Sequence, residues 1–167
     1  EAAPRQVVAT MLGSVFGLGK HRAWISEAMD IYLVWPIAGT RMIFTANDVE
    51  RRYAEGERPL PEYEARLYDP SSDWYALGRM LLESPDKPDP FLMLGKDFNQ
   101  ITRLDVLYAW CVAAWLVEGR ADQAAAFLTA VGGEGGNDLD AVCLDTFGYD
   151  GRTIDGRIHR WPVAKAG

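Results

Sequence analysis

DVLYAWCVAAWLVE, residues Asp105 to Glu118, is apolar on nearly every side when wound at 3.6 residues per turn. A helix of that kind has no face to offer water, so it must be enclosed by other helices. The reading makes this segment, with Trp110 and Trp115, the centre of the core. The helices that follow at Ala121 and Leu139 are expected as its neighbours.

Outward from this segment the pattern stays helical. Gly119 closes it, and Ala124, Phe127, Leu128 and Val131 place an apolar stripe on the next helix at the i, i+3, i+4, i+7 spacing. Gly132 to Gly136 form a turn. They follow a helix rather than a strand and carry no Lys-Ser or Lys-Thr, so they do not make a phosphate loop. Leu139, Val142, Cys143 and Thr146 repeat the stripe, and Ile154, Ile158 and Trp161 define a last helix.

Toward the N-terminus, Val7, Val8, Met11, Leu12, Val15 and Phe16 mark a first helix with Pro4 in its opening turn and Gly17 and Gly19 at its end. A second runs from Trp24 to Val34 and is expected to stop before Pro36. Arg41 to Phe44 suits a short strand, and Thr45 can cap a polar helix reaching about Ala54. Pro59, Pro61 and Pro70 punctuate an extended excursion anchored by Tyr63, Leu67 and Tyr68. Trp74 to Glu83 reads as another helix, Ser84 to Pro90 as a loop, and Phe91 to Leu94 as an apolar turn. The fold class is therefore all-α or mainly α, with at most a short strand or hairpin near residues 41–44.

Composition bounds the function. The 167 residues fit a single domain, 1–167, with 49% hydrophobic and 25% charged residues, the balance of a globular protein. A net charge of −7 repels phosphate backbones, and Arg51-Arg52 is too small a basic cluster to reverse that, which argues against nucleic acid as a partner. The most apolar run, Val106 to Val117, falls short of the roughly 20 residues that span a bilayer. The chain opens at Glu1 with no initiator Met and no leader pattern, the expectation being a processed protein or a piece of a longer one. Its compartment stays open, export from a bacterium included. Cys111 and Cys143 sit on apolar faces and are read as reduced core cysteines, one disulfide being the alternative.

The order of local sequences resembles a known superfamily. Trp24-Ile25-Ser26-Glu27-Ala28-Met29-Asp30-Ile31-Tyr32 is similar to the second metal-site helix of gluzincin-type zinc peptidases (peptidase MA-like), and Tyr108-Ala109, Trp115-Leu116, Phe147-Gly148 and Trp161 continue the likeness through the C-terminal half. The resemblance implies the helical C-terminal lobe of a gluzincin-like peptidase, with Glu27 in the place of the third zinc ligand. Activity in that family needs HExxH on the preceding helix. There, two imidazoles one turn apart hold Zn²⁺, and the Glu between them takes a proton from water. Aligning the first helix puts Thr10, Met11 and Ser14 at those three places. A hydroxyl is a poor zinc ligand and a thioether accepts no proton, so neither metal nor base survives.

No other alignment restores the motif, because the only histidines are His21 and His159. The implied protein is a degenerate member lacking HExxH. It would have no catalytic residues, metal or cofactor, and it would bind a peptide or protein partner or act as a scaffold. Two other readings stay open. One is an active hydrolase using other residues, such as a His21, Glu27 and His159 cluster or a Cys143 nucleophile. The other is a helical interaction module without peptidase descent. On the peptidase reading, Thr10 and Ser14 face Glu27 and donate hydrogen bonds to it, a nearby Arg being the alternative donor, and Met11 fills the space of the lost base.

Overall fold

A computed structural model describes residues 2–19, 22–39, 66–67, 69, 71–93 and 96–165. Its helices are α1 (Ala2–Phe16), α2 (Ala23–Ala38), α3 (Trp74–Glu83), α4 (Pro90–Met93), α5 (Arg103–Gly119), α6 (Ala121–Gly132), α7 (Leu139–Phe147) and α8 (Gly151–Lys165). No strand occurs among the described residues, and the fold is all-α. The strand expected near 41–44 and the helix expected from Thr45 lie outside the described residues.

Helix α5 is enclosed as its sequence demands. Every residue from Val106 to Leu116 is buried, Trp110 being 2% and Trp115 5% exposed. Its start is fixed by a capping box. The Thr102 side chain accepts from the Asp105 backbone N–H, and the Asp105 carboxylate accepts from the Thr102 backbone N–H at 2.8 Å. Asp105 also takes Lys96 Nζ at 2.7 Å, so the buried carboxylate is paired.

The expected neighbours of α5 need correction. Its widest contacts are with α2 and α3, followed by α6 and α8. Helix α7 packs on α6 and α8 and reaches α5 through Phe147, whose ring meets Trp115 edge-on at 5.3 Å. Apolarity on all sides shows that α5 is surrounded but does not say by which helices. Aromatic rings make the α2–α3–α5 contact. Trp74 and Tyr75 of α3 sit edge-on to Trp110 at 5.5 and 5.1 Å, and the Tyr32 and Tyr75 hydroxyls both donate to Glu118.

Helix α2 also runs past its expected stop. Pro36 lies inside it, and the helix ends at Gly39, which has φ +66° and donates its N–H to the Trp35 carbonyl. Only two helical residues follow the proline, so a single lost backbone hydrogen bond is tolerated before the left-handed cap.

Helices α1 and α6 meet through backbone. Gly17, at φ +70°, and Gly132 touch so closely that a Cβ on Gly132 would lie 1.7 Å from the Phe16 carbonyl oxygen. Arg22 secures the same end, donating to the carbonyls of Val131 at 2.5 Å and Gly133 at 3.3 Å and to Asn137 Oδ1 at 2.7 Å.

Candidate functional site

Glu27 and Asp30 lie on α2 three residues apart, so both carboxylates project from one face toward α1. Arg5 of α1 meets both. Its Nη2 donates to Glu27 Oε1 at 2.7 Å and its Nε to Asp30 Oδ2 at 2.5 Å, with all three side chains between 8 and 12% exposed. Burial pushes the Glu27 carboxyl above its ordinary value, with the Arg5 charge opposing, and burial does the same to Asp30. Asp30 Oδ1 is buried with no hydrogen-bond partner among the described residues, which adds to the cost of its charge.

The expected geometry around Glu27 is corrected in part. Thr10 is exposed and donates its hydroxyl to the Gln6 carbonyl at 2.7 Å; Ser14 is exposed; Met11 is 58% exposed and fills no buried space. Helix α1 does pack on α2, but its buried face is Arg5, Val8 and Leu12. These residues are spaced i, i+3, i+7, and Thr10, Met11 and Ser14 occupy the opposite side. The donor to Glu27 is the arginine, not a hydroxyl. The arginine expected as the alternative donor is Arg5, the sole charged residue between Ala2 and Phe16. A lone charge in an otherwise apolar helix was the available signal.

The other candidates do not assemble. His21 lies outside the described residues, and His159 is exposed on α8. Cys111 and Cys143 are both free and buried, and burial pushes each thiol up to about 12, the wrong direction for a nucleophile. Among the described residues no three His, Cys, Asp or Glu side chains come together to hold a metal ion.

Two surface features stand out among the described residues. A cleft of about 350 Å³ lies between residues 87–91 and the start of α8. On its wall Asp155 takes Tyr108 Oη on one oxygen and Lys87 Nζ on the other, both at 2.6 Å, so it is occupied as a base and ties the loop to α5 and α8. The second is an apolar groove of about 400 Å³ between α1 and α6, floored by Met29 and Leu33 of α2. No described helix is long and apolar enough to cross a membrane. No family model matches the chain, nor does any curated protein or any solved structure.

Proposed function

We propose that the chain is a non-catalytic, peptidase-like helical domain retained to bind a peptide or protein partner or to act as a scaffold. The observation that carries this reading is the pairing of Arg5 with Glu27 and Asp30. A gluzincin needs a free carboxylate at the place of Glu27 to hold Zn²⁺. Here a guanidinium belonging to the chain itself supplies the positive charge, and the carboxylate becomes a structural contact between α1 and α2. The packing of α1 on α2 supports the peptidase-like part of the reading.

Glu27→Ala is the test. It should lower thermal stability, while peptide hydrolysis by the unaltered chain in zinc-containing buffer stays at the blank rate. Hydrolysis that a chelator and Glu27→Ala both abolish would overturn the proposal.

One observation favours a second reading, a helical interaction module without peptidase descent: Thr10, Met11 and Ser14 point away from Glu27. Relatives carrying a His pair four residues apart on the buried face of α1 would decide for descent, and relatives uniformly lacking one would decide against it.

A further inference from the structure

Helix α1 is unusual for a surface helix. Apart from Arg5, which is buried, it carries no charge, and its outer face shows Val7, Met11 and Val15 at 58, 58 and 64% exposure. These are spaced i, i+4, i+8 and form one ridge. Beside the ridge lies the groove. Val8, Leu12 and Phe16 form one wall, and Ala121, Ala124 and Ala125 form much of the other. Small alanines on one wall leave room for large side chains from elsewhere. Among the described residues no ionisable side chain lines it, and Met11 and Met29 give it adaptable surface. An exposed apolar ridge running beside an apolar groove is expected to be covered.

Length and charge together narrow the occupant. From Val8 to Phe16 the α1 wall is about 12 Å long at 1.5 Å per residue, which matches two turns of a helix anchored at i, i+4 and i+7. The volume of about 400 Å³ suits a few apolar side chains rather than a folded surface. At the groove's end Arg120 and Asp122 flank Ala121 and offset one another, while the chain as a whole carries −7. That field repels an acidic segment or a second copy of the chain and draws in a basic one.

We propose that the α1–α6 groove receives the apolar face of a basic amphipathic helix from a protein partner. This rests on the reading of the chain as a binding domain and names the kind of partner.

The experiment uses the purified chain and two labelled peptides of about 14 residues. Both carry leucines at i, i+4 and i+7; one has lysines on its remaining face and the other has glutamates. Fluorescence anisotropy should show the basic peptide binding, more weakly as salt rises, and the acidic peptide binding at least about tenfold more weakly, a difference of roughly 1.4 kcal/mol. Met11→Glu and Ala125→Leu, both at exposed positions, should weaken the basic peptide by about tenfold or more while leaving the circular dichroism spectrum and Tm unchanged. Ala125→Leu acts only by filling the groove.

Equal affinity for the two peptides, abolished by both variants, would overturn the choice of a basic partner and leave the binding-domain reading intact. Binding of neither peptide, or binding indifferent to both variants, would overturn the groove as the site. A dimer in sedimentation that Met11→Glu converts to monomer would assign the groove to a second copy and overturn the proposal.

Discussion

Replacing Arg5 with Met tests whether the charge cluster between α1 and α2 is structural. The substitution keeps most of the stem's packing and removes the hydrogen bonds to Glu27 and Asp30, at 2.7 and 2.5 Å. Each such bond contributes roughly 1.5–3 kcal/mol, and breaking a buried pair by removing one partner costs about 3–5 kcal/mol. The loss is bounded because the stranded carboxylates can take up protons and the guanidinium no longer has to be buried. A net loss of about 3 kcal/mol at pH 7 follows, equivalent to a Tm lower by roughly 6–12 °C for a chain of this length.

The pH dependence has a definite sign. Burial already holds Glu27 and Asp30 above their ordinary values, so the folded chain binds protons more tightly than the unfolded one. Their contribution is fully present below the ordinary carboxylate range and declines as pH rises through the raised folded values. Without Arg5 those values rise further, so the variant's folded state takes up protons more readily as pH falls and the deficit narrows. Urea denaturation followed by circular dichroism should therefore give a deficit of about 3 kcal/mol at pH 7 that is smaller at pH 5. A deficit under about 0.5 kcal/mol, or one equal at both pH values, would refute the reasoning.

Three further outcomes are expected. Zinc added in excess should leave the Tm unchanged, since a ligand stabilises only what it binds; a rise of several degrees with one ion per chain would contradict the reading of Glu27. With both thiols raised to about 12, roughly one in ten thousand is ionised at pH 8, so a disulfide reagent should leave Cys111 and Cys143 intact in the native chain and modify both after unfolding. Rapid native reaction of either would place it outside the core. Gly132→Ala should destabilise by about 2 kcal/mol or more because its Cβ would overlap the Phe16 carbonyl, and an unchanged Tm would show that α1 and α6 can part there without cost.

Much of the architecture was legible because it is local. The stripes that define α5, α6, α7 and α8 come from residues within a few turns of one another, and periodicity reads them directly. Pairing between elements is not local. That α5 lies against α2 and α3 depends on where Trp74, Tyr75 and Tyr32 bring their rings, and spacing along the chain carries no record of that. The site was legible at one residue. Glu27 does take a partner from α1, and the partner is the alternative donor, an arginine, rather than the hydroxyls that a motif alignment places opposite it at Thr10 and Ser14. The hydrophobic pattern of α1 carried better information, because Val8 and Leu12 mark its inner face and place Arg5 on the same side. The side that packs is set by burial, whichever motif is laid over the helix.

The contact between Gly17 and Gly132 gives the groove a polarity. Near that contact the walls are Phe16 and Leu128, large side chains on helices held backbone to backbone. Toward the other end the α6 wall is Ala125, Ala124 and Ala121, whose side chains are small. A wall of large side chains at one end and small ones at the other distinguishes the two directions in which a helix can be laid. Its occupant must bring its bulkiest anchor to the alanine end, so the same side chains in reversed order would present the wrong size at each position.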